Sequence, residues 1–239
     1  MSTPLNIPAI LAAVRHAGDL FLPEFRHSPI PQDMTDFMQR LAAIESRCLA
    51  DLQERLADDF PTTPWLSADF PELVAGEQPA YPEYWLCDAM DGAIQYMQHL
   101  PGWTINLVLM RAGQPHFAAI YDPLSQELFW AQDGAGAFVN DTPLRPSAKR
   151  DAAITMAVFE HSHGLAEDSD LLARVSRGIT DLLRTYGVMR NYGPHGLQLA
   201  YVGAGRLDVF YQEGRDVENW LSGLLIAREA GADVATADG

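Results

Sequence analysis

Trp85-Leu86-Cys87-Asp88-Ala89-Met90-Asp91-Gly92-Ala93 decides the fold. An apolar run ends in an aspartate. A second aspartate follows three residues later, and Gly-Ala opens a helix-like segment. Two carboxylates at a strand end, beside free backbone amides, suit a hard cation and a phosphate together. Taken without their surroundings, Asp88 and Asp91 equally suit the capping of a turn and of the helix behind it.

The sequence on either side alternates helical and strand patterns. Residues 7–25 predict an amphipathic helix ending near Pro23. Met34, Phe37, Leu41, Ile44, Cys48, Leu52 and Leu56 recur every three or four residues, one face of a long helix over 34–58. Pro61-Thr62-Thr63-Pro64 is a turn. Residues 104–139 read as β hairpins: a strand at Ile105–Leu109, a turn at Ala112-Gly113-Gln114-Pro115 and a return strand from His116 to Tyr121. Residues 166–186 and 195–204 are helical, Leu207 to Tyr211 is a strand, and Asn219 to Ala230 is a helix with Asn219 as its N-cap and Gly231 as its stop. Helices between sheets predict a layered α+β fold.

At 239 residues, with 48% hydrophobic and 20% charged, the chain can bury a large core. A net charge of −16 argues against nucleic acid and anionic membranes as partners. A phosphorylated ligand must then be drawn in by a local cation or by backbone amides. Cys48 and Cys87 are read as two buried free thiols in a reduced compartment, neither disulfide nor metal pair. No apolar run is long enough to span a bilayer. Arg15 and His16 follow Ile10–Val14 too soon for a secretory leader, so the expected location is cytoplasmic.

The opening stretch resembles the first signature of the inositol monophosphatase family, W-x-x-D-P-[IL]-D-G-T. Gln126–Ala131 with Gly134–Asn140, Ala200–Asp208 and Ile226–Gly231 resemble three further family blocks, in the family's order and spacing. The resemblance implies a layered α/β/α/β/α sandwich. It implies one domain over residues 1–239, whose N-terminal half (about 1–145) and C-terminal half (about 146–239) both line a cleft. The chain stops at Asp238-Gly239, where the family adds a strand and a helix. The implied activity is Mg²⁺-dependent hydrolysis of a small inositol or sugar phosphomonoester, and the implied assembly is a homodimer.

Carried over residue by residue, Asp88 and Asp91 match the two metal-binding aspartates, and Met90 matches a main-chain carbonyl ligand. The amides of Gly92 and Ala93 match the phosphate cradle, with Asp91 beside it. The family's upstream metal-binding glutamate falls on Ala68, within Ser67-Ala68-Asp69. Its second-signature aspartate falls on Asn219, beside Glu218. Its water-orienting threonine falls on Ala93, and a supporting helical aspartate on Leu41. Asn219 offers an oxygen without charge, and as a helix cap it has a second explanation. Glu213 lies near the family's substrate-hydroxyl glutamate. His195 either projects into the site or lies on the surface. His161 and His163, alternating at a strand end, read as exposed loop residues. No residue is assigned a catalytic role. Mg²⁺ requires anionic oxygens in near-octahedral geometry, so these losses imply weak or absent Mg²⁺ binding and weak or lost hydrolysis. The alternative is a catalytically inactive pseudophosphatase that binds a small phosphorylated ligand or a protein partner.

Overall fold

In a computed structural model the described residues are 5–66, 81–161, 168–213 and 217–235, with only the backbone described for 217–219. Ser67-Ala68-Asp69 and His163 lie outside them.

Two helices cover one face of the first sheet. Helix α1 (Ile7–Asp19) starts at Asn6, whose side chain accepts from Ala9 N, and carries Pro8 in its first turn, where a missing N–H costs nothing. It ends before Pro23, and turns carry the chain through residues 20–27. Helix α2 (Met34–Leu56) starts at Asp33, which accepts from Asp36 N. Its expected stripe is buried only from Ile44 onward, at Ile44, Cys48, Leu52 and Leu56; Met34 projects, 71% exposed.

The first sheet contains β1 (Trp65–Leu66), β2 (Glu83–Asp91), β3 (Thr104–Arg111), β4 (Gln114–Asp122), β5 (Glu127–Gln132), β6 (Gly136–Val139) and β7 (Thr142–Pro143), in that spatial order. Only the β1–β2 pair is parallel. The β3–β4 turn is shorter than the sequence predicts: Ala112 (φ 47°) and Gly113 (φ 74°) suffice. Two residues with positive φ match the twist of the flanking strands. Pro115 therefore sits inside β4, at a register shift between Leu109 and Met110, where a strand tolerates proline.

Side chains alternate cleanly across this sheet. Trp85, Ile105, Leu107, Leu109, Phe117, Ala119 and Tyr121 pack with α1 and α2. Tyr84, Leu86, Val108, Met110, Ala118, Ile120 and Phe129 pack on the other face, against Leu197 and Ala200 of α5 (His195–Gly203) and Leu221, Leu225 and Ile226 of α6 (Val217–Ala230). Beyond α5 lies a parallel sheet of β8 (Met156–His161), β9 (Val188–Arg190) and β10 (Val209–Glu213), ordered β10-β8-β9. Helix α4 (Ser169–Thr185), capped by Asp168, packs on this second sheet. The layers run helix, sheet, helix, sheet, helix, as the resemblance implies.

Strand β10 begins two residues later than predicted. Asp208 is drawn out of the ladder because its carboxylate accepts from Met156 N at 2.7 Å and Lys149 Nζ at 2.8 Å. Helix α6 begins two residues earlier than predicted, at Val217, so Asn219 stands in its first turn rather than at its cap. First-turn N–H groups have no carbonyl partner within the helix, which favours polar residues there. Cys48 is buried and Cys87, contrary to expectation, is half-buried; both are free thiols. A hydrogen bond with Cys48, reinforced by burial, pushes the Cys87 thiol well above its ordinary range.

Helices α5 and α6 meet through glycines. A Cβ at Gly223 would lie 2.6 Å from Gly196 O, and one at Gly203 would lie 3.3 Å from Ala227 Cα. Gly223→Ala is expected to lower stability by about 1–3 kcal/mol, the usual cost of overpacking, because backbone rather than a flexible side chain must move. Urea denaturation at a fixed temperature measures it; an unchanged midpoint would mean that the two helices separate freely.

Candidate active-site cleft

The pairing of β2 with β3 slips between Asp88, opposite Asn106, and Asp91, opposite Thr104. Ala89 and Met90 on β2 thus lie opposite Ile105 alone on β3, a β-bulge. In a regular strand, residues three apart face opposite ways. The extra residue turns Asp91 onto the face shared by Asp88, Asn106 and Thr104, beneath α5. Met90 and Ala89 go into the core on the α1–α2 side.

Asp91 is 6% exposed. Its Oδ2 accepts from Asn106 Nδ2 at 2.8 Å and from Gly196 N at 3.0 Å. Thr104 Oγ1 donates to Asn106 Oδ1 at 2.9 Å, which fixes the amide's orientation. Burial first, and the neighbouring Asp88 charge second, push the Asp91 carboxyl well above the usual range; the two hydrogen bonds pull the other way. Asp88 Oδ1 accepts from Met90 N at 3.2 Å, so part of its role is to close the local turn.

Gly92 adopts φ 90°, ψ 32° and precedes α3 (Ala93–Met97). A Cβ there would lie 2.5 Å from Gly102 O, so this turn requires glycine. Ala93 is the first residue of α3 and packs partly against the α1–α2 core.

His195 opens α5 and points into the cleft: its Nε2 lies 4.0 Å from Glu160 Oε2, with side chains 15% and 10% exposed. Glu160 Oε1 accepts from Gly193 N at 2.9 Å and from Gln198 Nε2 at 2.7 Å. Gln212 pairs with Glu160 in register across β10 and β8, so both face α5. Neither amide atom of Gln212, nor Gln198 Oε1, has a hydrogen-bond partner among the described residues, and all three atoms are buried.

Asp88, Asp91, Gly92 and Ala93 thus follow one another where β2 meets α3, and the Gly196–Asp91 bond brings His195, whose direction the sequence left open, beside them. Glu213 does not join them. It follows Gln212 on β10, so it faces outward, where Tyr211 Oη donates to it at 2.6 Å and Arg174 Nε of α4 at 3.4 Å. Burial, then the Glu213 contact, raise Tyr211 to about 12. The alternation of the strand decides which of Gln212 and Glu213 faces α5. The Asn219 side chain lies outside the described residues. Asn106, Glu160, Gln198 and Gln212 were missed, although each interrupts an otherwise apolar strand or helix face.

Among the described residues the donor set fits Mg²⁺ poorly. Among the described residues no three His, Cys, Asp or Glu side chains gather to hold a metal. One Asp91 oxygen already accepts two hydrogen bonds.

A family model, the inositol monophosphatase family, matches residues 9–239. An inositol-1-monophosphatase of Rhizobium meliloti is 32% identical over 195 residues, 79% of this chain and 68% of that protein. Nus factor SuhB of Xylella fastidiosa is 34% identical over 63% of this chain, but the match spans only 54% of the relative's length. Nus factor SuhB of Escherichia coli K12 is 26% identical over 98% of this chain and 85% of its own. The crystal structure of SuhB from Bartonella henselae shares the fold with TM-score 0.75 at 22% identity, over 94% of this chain and 84% of the other. The inositol monophosphatase of Thermotoga maritima does so with TM-score 0.73 at 21% identity, over 94% and 83%. With its layers, its bulged aspartate pair and these matches, the chain belongs to the inositol monophosphatase family.

Proposed function

We propose that the cleft binds a small inositol or sugar phosphomonoester and hydrolyses it weakly or not at all. The observation that carries the binding half is Gln212. A buried amide with both atoms unpartnered is costly, and a polyol hydroxyl, which donates and accepts at once, answers it. Glu160, the β8 register partner of Gln212, lies 4.0 Å from His195. The phosphate would lie nearer Asp91, on the amides of Gly92 and Ala93. Helix α3, at five residues, adds only a short dipole to that attraction.

Weak hydrolysis follows from the carboxylates. A metal at this position would supply a nucleophilic water and stabilise the leaving oxygen. Burial and the Asp88 charge raise the Asp91 carboxyl, Ala68 supplies no ligand, and Asn219 supplies no charge. Calorimetry with Mg²⁺ is expected to show millimolar affinity at best; micromolar binding would overturn the proposal. A second reading, binding of a protein partner without turnover, is favoured by one finding: relatives in X. fastidiosa and E. coli carry the name Nus factor. Absence of any heat or spectral change with inositol 1-phosphate in the parent protein would favour it over the first. Homodimerisation and a cytoplasmic location remain part of the proposal. Among the described residues no helix is long and apolar enough to cross a membrane.

The Asp91 carboxyl generates a pH prediction for the metal-free protein, kept so by a chelator. Its folded pKa is raised above the unfolded value of about 3.9. Below about pH 4 both states hold the proton, and Asp91 contributes no difference. As pH rises from there to the folded pKa, the unfolded chain ionises first and the fold loses stability. Asp91→Asn keeps an oxygen for Gly196 and Asn106 and removes that loss. The variant is expected to be more stable than the parent at pH 7 and equal to it below about pH 4. Urea midpoints across pH check this; a variant less stable at pH 7 would show that Asp91 folds as an anion.

Restoring the missing groups tests the chemistry. Ala68→Glu and Asn219→Asp add anionic ligands, and Ala93→Thr adds the water-orienting hydroxyl. Single changes should do little, because such groups act as a unit. The triple variant is expected to tighten Mg²⁺ and to speed phosphate release from inositol 1-phosphate by at least about tenfold, the lower end for groups around a metal. Phosphate release with and without Mg²⁺ reads it, with Asp91→Asn added as the inactive control. A folded triple variant that gains neither would show that the cleft has been remodelled for another use.

A further inference from the structure

At the far end of α3 from the Asp91 cleft is a cavity of about 170 Å³. The turns after α1, the first half of α2, and the end of α3 with His99 line it, and it is partly open to solvent. Ile44, Tyr96 and Met97 make it partly apolar, and Arg26, Arg40 and His99 bring cationic or hydrogen-bonding groups to it.

Two backbones there hold an uncommon shape: Arg26 has φ 67° and His99 has φ 62°. Non-glycine residues in that region are held by their surroundings and cluster at binding sites. Here the two hold each other. Arg26 Nε donates to His99 O at 3.1 Å, and the His99 ring nitrogen Nε2 meets Ser28 O at 2.8 Å. The Arg26 guanidinium stacks 5.0 Å over the Phe25 ring.

That arrangement fixes one edge of Arg26 and leaves its two terminal nitrogens without a hydrogen bond among the described residues. The other charges at the cavity are already matched. Glu24 accepts from Arg47 at 2.5 Å, and Arg40 forks onto Asp36 through two 2.7 Å bonds while also donating to Pro29 O. Among the described residues Arg26, an exposed side chain, is therefore the cation at the cavity without an ion-pair partner. A guanidinium held by one edge presents a planar fork to planar or tetrahedral oxyanions.

We propose that this cavity binds a small oxyanion, a phosphate group or a carboxylate, independently of the Asp91 cleft. Drug-sized ligands occupy pockets of roughly 300 Å³ and above, so the occupant is a compact metabolite or inorganic ion. The Arg26 fork grips it, and Ser28 and His99 border it.

The test is calorimetric titration of the whole chain with inorganic phosphate and, separately, with succinate, at low salt and millimolar concentration. Three variants accompany the parent. Arg26→Gln removes the fork. Ala43→Asp places a like charge on the cavity wall, at an exposed position of α2 where folding is undisturbed. Asp91→Asn changes the cleft and leaves the cavity lining untouched. At least one anion is expected to bind the parent, with affinity at least tenfold weaker in Arg26→Gln and Ala43→Asp and unchanged in Asp91→Asn. Binding of phosphate alone identifies a tetrahedral group, and of succinate alone a carboxylate. Should Arg26→Gln fail to fold, Ala43→Asp decides. Equal affinity in the parent and the cavity variants, loss only in Asp91→Asn, or no heat with either anion would each overturn the proposal.

Discussion

The Asp91 carboxylate joins the parts of this molecule. One oxygen receives Asn106 from the neighbouring strand and the Gly196 amide from the first turn of α5. The same helix is tied on its other side to the second sheet, where Glu160 receives Gln198 and the Gly193 amide just ahead of it. Helix α5 is thus pinned between two sheets by two buried acids. Glycine-to-glycine contact with α6 then sets where that helix covers the first sheet. The polar chain from Thr104 through Asn106 and Asp91 to Gly196 is continuous, and a continuous buried network is worth more than its separate bonds.

Much of this was legible in the sequence. The periodicity of α1, α2 and α4, the hairpins of the first sheet and the four family blocks placed the layers. The errors have local causes. Asp208 found backbone and lysine partners and delayed β10. Ala112-Gly113 closed a two-residue turn, since positive φ at both positions fits strand twist. Glu213 and Gln212 are neighbours, and a strand sends neighbours to opposite faces, so one residue of register decided which of them reached the cleft. Asn106, Glu160 and Gln198 could have been suspected as polar residues in apolar surroundings, but their partners are 15 to 38 residues away in sequence. No local pattern names such a partner.

The bulge in β2 explains why two aspartates three apart can serve one site. Without the extra residue Asp91 would enter the α1–α2 core, where a carboxylate has no partner. With it, Asp91 emerges beside Asp88, and the two charges then oppose each other's ionisation. A bound cation would relieve that opposition; a proton on Asp91 relieves it as well. Burial raises the Asp91 carboxyl, and one of its two oxygens already accepts from two amides.

An aspartate in a metal-site motif therefore has two separable roles. Asp91 bonds two elements whatever the cleft contains, because a neutral carboxyl still accepts from Gly196 and Asn106. Ala93 bears no comparable bond between layers among the described residues. The fold alone is reason enough to retain Asp91 and Gly92, the one for its bonds and the other for its φ. The motif at Asp88–Gly92 is accordingly firm evidence for the architecture and weaker evidence for metal chemistry. The groups that report on chemistry are the ones with no structural task, above all the unpartnered Gln212 amide.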